Sequence, residues 1–296
     1  SKMKLTHILL ALIVATAWGG NFVAMRFGAQ EIPPYFLLGL RLTVAAAALA
    51  WFAKSPRGML IPLFTIGTTL CVLHFGLGLY GVKYIEAGTG AIAMQTVVPF
   101  AALLAWLMHG ETFGWRRTAG LILAIGGIAI IAGIPRIGER LDMLLIMVVA
   151  AFFFAVATIQ IKRLESTDFM SINAWISILA IPQAFLVSWI FEEGQIEALS
   201  TAPVGAFASI LYMGLVASIV GQGLWYFLVQ RNPTNQVMPF TLLVPVLGVL
   251  FGVLLLDEPL SWTFVLGGLI TLAGVAIIIL RRPDLIAAEA AASKSS

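Results

Sequence analysis

The stretch 97–127, VVPFAALLAWLMHGETFGWRRTAGLILAIGG, returns at 243–274 as LVPVLGVLFGVLLLDEPLSWTFVLGGLITLAG. Both copies place the same residue types in the same order, and a tyrosine lies 19 residues before each proline. The shared residues are Tyr80, Pro99, Glu111, Trp115, Gly120 and Gly127 in the first copy and Tyr226, Pro245, Glu258, Trp262, Gly267 and Gly274 in the second. Only one residue is inserted between the proline and the glutamate of the second copy. Such self-similarity indicates a duplicated unit, and in an apolar chain it is typical of the internal repeats of transporters.

The composition indicates an integral membrane protein. Of the 296 residues, 60% are hydrophobic and 10% are charged, and the mean hydropathy is +1.01. Soluble domains are about 45–50% apolar and about 25% charged. The core of a soluble protein of this length could not bury the additional apolar residues. We attribute the net charge of +3 to membrane orientation and expect no nucleic-acid partner. The single cysteine, Cys71, lies in an apolar run and is predicted to be a structural thiol.

We predict ten membrane-spanning helices, because a span needs about 20 mainly apolar residues. The predicted spans are 7–27, 33–53, 59–84, 88–109, 114–133, 141–161, 169–191, 203–229, 233–256 and 261–280. Ala15-Thr16-Ala17 resembles a signal-peptidase site. However, the stretch continues to Phe27 and nine more spans follow, which favours an uncleaved first helix. The predicted fold class is an all-α membrane protein.

The distribution of lysine and arginine predicts that both termini are cytoplasmic. With the N-terminus inside, 12 of these cations lie in cytoplasmic segments and 4 in outer ones, while Arg41 lies within the second span. Five spans in each half place the second unit upside down relative to the first. We therefore predict a 5+5 inverted repeat, with the first repeat at 1–136, the second at 137–282 and a disordered cytoplasmic tail at 283–296. This geometry suits alternating access.

At this point the sequence resembles the EamA-type drug/metabolite transporters. The resemblance is carried by WGGNF at 18–22, by Arg41 in the second span and by the two repeat units quoted above. It implies ten helices, a 5+5 inverted repeat, a central cavity and movement of small molecules without ATP. The general look is that of bacterial amino-acid or metabolite exporters of the YddG type. In the second half Phe154 replaces Trp18, so a symmetric binding site is not expected.

Polar and aromatic side chains within the spans are the candidates for substrate binding, since each polar group in the membrane is costly unless it faces a cavity or a partner. The candidates are Trp18, Asn21, His74, Tyr80, Gln95, Gln160, Trp175, Gln222 and Trp225. His74 is either a substrate contact or proton relay, or a neutral histidine bonded to a neighbouring helix. The glutamines either grip the amino or carboxylate group of a substrate or join helices. The aromatic rings either line a cavity for aromatic or apolar amino acids or form an interfacial belt.

Three further features are predicted from position. Pro99 and Pro245 remove a helix hydrogen bond at matched places, which favours a gating or site role over plain curvature. Arg41 either snorkels to the surface, attracts a substrate carboxylate or bonds structurally to backbone carbonyls, the last being favoured. Glu111 and Glu258 are predicted to cap helix starts as latches, where a carboxylate favours the helix dipole.

Several motifs are missing from the sequence. It contains no G-x-x-x-x-G-K-[ST] loop, no H-E-x-x-H and no metal-ligand cluster. We expect no catalytic residues, no metal and no cofactor, and predict that the protein is not an enzyme. The predicted function is a secondary transporter of the bacterial-type inner membrane. It would export small metabolites, with amino acids (aromatic or apolar ones among them) as the favoured class. A channel-like or lipid-translocating protein is the alternative.

Overall fold

The computed structural model describes residues 3–109, 114–164, 168–232 and 237–279. Within these ranges all regular structure is helical and no strand occurs. The all-α prediction is therefore confirmed. Glu111 and the tail predicted to be disordered at 283–296 lie outside the described residues.

The first half of the chain forms five long helical segments, several of them composite. They are α1 (Leu5–Glu31), α2 (Pro34–Leu49), α3 (Leu60–Ile66, Gly67–Gly76 and Leu77–Tyr84), α4 (Ala87–Met94 and Val97–His109) and α5 (Trp115–Ala132). The second half follows the same plan. Its segments are α6 (Leu141–Lys162), α7 (Phe169–Phe191), α8 (Val204–Leu211, Tyr212–Gly221 and Gln222–Arg231), α9 (Met238–Leu242 and Leu243–Leu256) and α10 (Trp262–Ile279).

Nine of the helices in the described ranges are long and apolar enough to cross a membrane. The remaining segment is α5, whose apolar part, Thr118–Ala132, is shorter because two arginines occupy its first turn. The chain is thus a multi-pass membrane protein. The count of ten spans and the placement of the termini stay predictions.

The two halves interlock through their first helices. Helix α1 packs against α8 and α9 of the second half, and α6 packs against α3 and α4 of the first. Helix α2 pairs with α7, and α5 pairs with α10. Exchanging α1–α5 with α6–α10 maps this set of contacts onto itself, as expected for two copies of one structural unit.

The glycines of the repeated motif bring α5 and α10 into backbone contact. A Cβ atom added to Gly127 would lie 2.5 Å from the carbonyl oxygen of Gly267, and one added to Gly274 would lie 2.5 Å from that of Gly120. Only residues without a side chain permit this approach. The seven-residue spacing places these glycines on one face of each helix, and in the structure these two faces meet.

Irregular backbone recurs at equivalent places in the two halves. The third helix of each half contains ten residues of π-helix, Gly67–Gly76 in α3 and Tyr212–Gly221 in α8. We call these the paired π segments. Such segments are rare and often mark functional sites, because the extra residue per turn breaks the regular backbone hydrogen bonding.

The fourth helix of each half is also interrupted, just before its proline. Helix α4 breaks at Gln95 and Thr96, and α9 begins with the 3-10 turn Met238–Leu242. Pro99 has no N–H to offer the carbonyl of Gln95, which accepts instead from the N–H of Val98 at 3.1 Å. Pro99 and Pro245 are each the third residue of a regular helix that follows a departure from α-helix, and their role in gating stays a prediction.

Candidate functional site

The Trp-Gly-Gly sequence of α1 fits against the π segment of α8. The indole N–H of Trp18 donates to the carbonyl of Ala217 at 3.2 Å. The hydroxyl of Tyr212 donates to the carbonyl of Ala17 at 2.9 Å, and a Cβ atom on Gly20 would lie 2.5 Å from that hydroxyl oxygen. The motif therefore consists of one polar anchor followed by residues small enough for α8 to approach.

Two of the predicted site residues, Trp18 and Trp225, lie against each other with ring centroids 5.4 Å apart. Asn21 lies one turn further along α1, where its amide nitrogen is 3.2 Å from the sulfur of Met25. The buried amide oxygen of Asn21 has no hydrogen-bond partner within the described residues. This part of α1 therefore combines an aromatic pair with a buried hydrogen-bond acceptor that has no partner within the described residues.

His74 lies in the π segment of α3 and is 7% exposed. Its Nδ1 atom is 2.9 Å from the carbonyl oxygen of Ala150 in α6. Because a carbonyl only accepts, Nδ1 carries the hydrogen. Both Phe75 and Phe154 have ring centroids 4.7 Å from that of His74. This is the interhelical bond expected of a structural histidine, and the proton-relay role stays a prediction.

Arg41 connects the paired π segments. Its side chain is 2% exposed, so it does not snorkel to the surface. The guanidinium carbon lies 4.1 Å from the ring centroid of Phe75 in the π segment of α3. Its Nη2 group donates to the hydroxyl of Ser218 in the π segment of α8 at 3.1 Å, and that hydroxyl donates to the carbonyl of Met213 at 2.8 Å. The sequence favours a backbone carbonyl as the partner of Arg41. In the structure the partner of Nη2 is a side-chain hydroxyl instead.

The predicted glutamines lie at irregular positions or helix ends. Gln95 is 8% exposed at the break in α4, and Gln222 is the half-buried residue that follows the π segment of α8. Gln160 lies in the last turn of α6, where its buried side-chain oxygen has no hydrogen-bond partner within the described residues. Their roles in binding stay predictions.

The two remaining aromatic candidates have other neighbours. The ring of Tyr80 contacts that of Tyr84 at a centroid distance of 5.5 Å. The indole N–H of Trp175 donates to the carbonyl of Lys54 at 2.6 Å, in the connection between α2 and α3. Trp175 is therefore bonded to a loop, whereas Trp18 and Trp225 contact each other.

Glu258 closes one end of the bundle, the end predicted to face outward. Its carboxylate accepts from the backbone N–H groups of Ala87 at 2.5 Å and Gly88 at 3.0 Å, the first two residues of α4. A carboxylate there meets the positive end of the helix dipole. The predicted cap is thus confirmed for Glu258, which joins the α9–α10 connection to the start of α4.

Three more charged residues complete this closure. Arg26 lies 3.4 Å from the Glu258 carboxylate and donates to the carbonyls that end α3, those of residues 82, 83 and 85. Arg136 donates to Glu86 at 2.7 Å and to the carbonyl of Pro259 at 3.1 Å. We call Arg26, Glu86, Arg136 and Glu258 the Glu258 latch. It joins the end of α1, which carries Arg26, to three connections, those that carry Glu86, Arg136 and Glu258. The sequence singled out only Glu258 as a cap, although Arg26 and Arg136 stand among the cations assigned to the outer side and Glu86 stands at a helix end.

Burial and hydrogen bonding have opposite effects on the pKa of Glu258. Burial raises the pKa of the Glu258 carboxyl, while the amides of Gly88 and Ala87 and the charge of Arg26 oppose the rise. The side chain of Glu258 is 8% exposed. Its hydrogen bonds and Arg26 therefore offset part of the free-energy cost of holding a carboxylate away from water.

Helices α2 and α7 are fastened at both ends. At one end Glu192 accepts from the backbone N–H groups of Tyr35 at 2.8 Å and Phe36 at 3.1 Å, the start of α2. At the other, Lys54 lies 2.7 Å from Asp168 and its hydrogen bond lowers the pKa of that carboxyl. These two helices therefore form a braced pair beside the interlocked α1, α3, α4, α6, α8 and α9.

Within the described ranges, no group of three or more His, Cys, Asp or Glu side chains is close enough to hold a metal ion. The buried polar groups are instead scattered single side chains. Such side chains can form hydrogen bonds to a small molecule or between neighbouring helices.

Comparison with known proteins identifies the family. The model of the EamA-like transporter family matches residues 5–133 and again residues 142–280. The chain belongs to the EamA-like transporter family. The two matches confirm the two-repeat architecture, and membership makes this EamA-like protein a transporter rather than an enzyme.

Several relatives match along nearly the whole chain. A probable amino-acid metabolite efflux pump of Escherichia coli strain K12 is 31% identical over 278 residues, which cover 91% of this chain and 93% of that protein. The protein of the same description from Salmonella typhimurium is 30% identical over 278 residues, covering 90% and 93%. A probable terminal-alkyne amino-acid exporter of Streptantibioticus cattleyicolor is 29% identical over 290 residues, covering 93% and 94%.

A solved crystal structure resembles this EamA-like chain with a TM-score of 0.61. The match covers 93% of this chain and 96% of the other at 16% sequence identity. At that identity the likeness concerns the fold alone.

Proposed function

We propose that this EamA-like protein is a secondary transporter that exports amino acids from the cytoplasm by alternating access, without ATP hydrolysis. Amino acids with apolar or aromatic side chains are the favoured substrates. The observation that carries the proposal is the matched irregularity of the two repeats. Each half carries a π segment in its third helix and a proline break in its fourth, and such paired interruptions mark the sites of transporters built from repeats.

The proposed topology has ten spans, with the second repeat inverted and both termini in the cytoplasm of a bacterial-type inner membrane. The pairing of α1 with α8 and α9, and of α6 with α3 and α4, supports it because the two sets exchange when the repeats are swapped, as a pseudo-two-fold axis requires. The charge bias of 12 to 4 supports the orientation. In this topology the Glu258 latch closes the outer end.

Two observations support amino acids as substrates. Three relatives whose matches cover at least 90% of this chain are described as probable amino-acid metabolite efflux pumps or as a probable terminal-alkyne amino-acid exporter. The pair of Trp18 and Trp225 offers an aromatic surface for an apolar side chain, and the amide oxygen of Asn21, which has no hydrogen-bond partner within the described residues, suits an ammonium group.

The scattered buried polar groups and the Glu258 latch both favour a transporter over a channel or lipid-translocating protein. A channel needs a continuous polar lining, whereas the buried polar groups in the described part of the chain are separated among apolar side chains. The latch also closes one end with contacts between both halves. A structure closed at one end by breakable bonds suits a carrier that opens its two ends in turn.

The test is solute flux from liposomes that contain the purified full chain and labelled leucine, phenylalanine or aspartate. We expect saturable efflux of leucine and phenylalanine without ATP, accelerated when the same unlabelled amino acid is placed outside. Flux of all three that rises linearly with concentration would indicate a channel. Movement of a fluorescent phospholipid between leaflets, with no amino-acid flux, would indicate lipid translocation.

Proline variants test the role of the paired breaks. Pro99→Ala and Pro245→Ala each restore a helix N–H at a break, and we expect both to lower leucine flux at unchanged protein content. Pro182→Ala is the matched control, because Pro182 lies inside α7 and outside the repeated motif. Equal flux in all three variants would argue against a gating role for the breaks.

A further inference from the structure

Arg41 is a buried cation without a counter-ion. Its side chain is 2% exposed, and no ion pair joins it to a carboxylate in the part of the chain that the structure describes. Its two contacts, the Ser218 hydroxyl and the Phe75 ring, are both neutral. The Nη1 group, which carries two N–H donors, has no hydrogen-bond partner within the described residues.

The depth of Arg41 makes this arrangement costly. Arg41 follows the first residue of α2 by seven positions, which places it about 10 Å along the helix at 1.5 Å per residue. Ionisable side chains inside a membrane protein are expensive, and they commonly mark pathways of a substrate or ion. A buried guanidinium normally has an acidic partner, since a charge left without one is strongly destabilising.

The sequence supplies no such partner within the spans. The acidic residues of the chain lie at helix ends or in connections, and the Glu258 and Asp168 carboxylates are paired with Arg26 and Lys54. An anion that pairs with Arg41 would therefore come from outside the chain. The planar fork of a guanidinium matches the two oxygens of a carboxylate, and its strongest hydrogen bonds are those to such charged acceptors.

The position of Arg41 also suits a ligand site. It is the residue that bridges the paired π segments, through Phe75 on α3 and Ser218 on α8. A ligand held by Arg41 would therefore lie where the two repeats meet.

We propose that Arg41 binds the carboxylate of the transported substrate, so that the substrate class is small molecules with a free carboxylate. This inference rests on the proposed export of amino acids and adds the group by which they are recognised. Ser218 and Phe75 act as neutral supports that hold the guanidinium without satisfying its charge.

The experiment compares leucine with leucinamide, which keeps the side chain and ammonium group but has no carboxylate. Binding is measured as thermal stabilisation of the purified full chain in detergent over a range of ligand concentrations. In the wild-type protein we expect leucine to bind at least tenfold more tightly than leucinamide. In Arg41→Gln we expect the two to bind within about twofold of each other, because only leucine loses a partner.

The controls separate recognition from folding. Arg57→Gln removes the same charge from the exposed connection after α2 and should keep the preference for leucine. Arg41→Lys keeps the cation and should keep a reduced preference. If Arg41→Gln does not yield folded protein, the preference for leucine over leucinamide in the wild-type protein and in Arg41→Lys tests the proposal.

Three outcomes overturn the proposal. Equal binding of leucine and leucinamide to the wild-type protein would exclude recognition of the carboxylate, as would the absence of any stabilisation by leucine. If Arg41→Gln weakened the binding of leucine and of leucinamide equally, Arg41 would have a structural role. A failure of the export function itself is distinguishable, because it would appear as binding with the leucine preference but no flux from liposomes.

Discussion

Replacing Glu258 with alanine is expected to unlock the end of the bundle that the Glu258 latch closes. The change removes the acceptor of the Ala87 and Gly88 amides, which lie 2.5 and 3.0 Å from the carboxylate. It also removes the ion partner of Arg26, which keeps its backbone carbonyl acceptors. The closed state then holds two helix-terminal donors without an acceptor, while in an open state water would satisfy them.

The size of the effect follows from those two donors. A buried donor left without a partner costs about 1–3 kcal/mol. Because the connection lies at the end of the bundle, where water can enter, we take about 2 kcal/mol for the pair. This corresponds to an increase of about 30-fold in the ratio of open to closed molecules. Glu258→Gln keeps one acceptor oxygen, so we expect a smaller increase.

The assay measures how fast a cysteine beneath the latch reacts. Val249 lies directly against Gly88, since a Cβ atom on Gly88 would be 3.2 Å from the Cα atom of Val249. We would introduce Val249→Cys together with Cys71→Ala, which removes the only natural thiol. A charged, membrane-impermeant methanethiosulfonate reagent, applied outside right-side-out vesicles, reports the open fraction as a labelling rate.

The matched control is Asp257→Asn. Asp257 is exposed and has a φ of 52°, a left-handed conformation that asparagine tolerates, and it carries the same charge as its neighbour. We expect its labelling rate to equal that of the parent protein. Equal rates in the Glu258→Ala protein and the parent would refute the latch, and fast labelling of the parent would show that this end is already open.

Three further predictions concern packing, pH and the α1–α8 contact. Gly127→Ala places a Cβ atom 2.2 Å from the hydroxyl of Thr271 and should cost about 1–3 kcal/mol, read as a lower melting temperature in detergent. Gly126→Ala is its control, because nothing lies within 4 Å of the added atom. Asp168→Asn should lower stability by less than about 1 kcal/mol at pH 7, since the ion pair is partly exposed. Because its pKa is lowered from 3.8, this contribution is present above that value and disappears as the pH falls through the lowered pKa, so melting curves of the two proteins should then converge. Tyr212→Phe removes one hydrogen bond to α1 and should cost about 0.5–1.5 kcal/mol, whereas an unchanged melting temperature would contradict that bond.

Much of the architecture could be predicted from local pattern. Apolar runs of about 20 residues locate the helices, because the membrane interior leaves few other ways to satisfy the backbone. The repeated glycines indicate a face that allows close helix contact, because residues at a spacing of seven share one helix face. The position of Glu258 at the end of a span predicts a helix cap, but the helix that it caps, α4, begins 171 residues earlier in the chain. Local pattern therefore indicates helices, shared faces and caps, and not which helices they meet.

The site was less predictable, because it depends on which helices meet. The partners of Arg41 are 34 and 177 residues away along the chain, and the sequence favoured a backbone carbonyl over the hydroxyl that Arg41 contacts. Trp175 and Trp18 look alike as aromatic residues in spans, yet one bonds to a loop and the other to the π segment of α8. Hydrophobic periodicity gives no information on such contacts.

The sequence by itself determined that this chain is a helical membrane protein with two copies of one unit, since composition and repetition are properties of the chain alone. Only the tertiary structure decided that the copies interlock through α1 and α6, that the paired π segments meet at Arg41 and that four charged residues close one end around Glu258. The physical reason is that hydrogen bonds and ion pairs act over a few ångströms in space. Residues far apart in the sequence come within that range only when the helices pack.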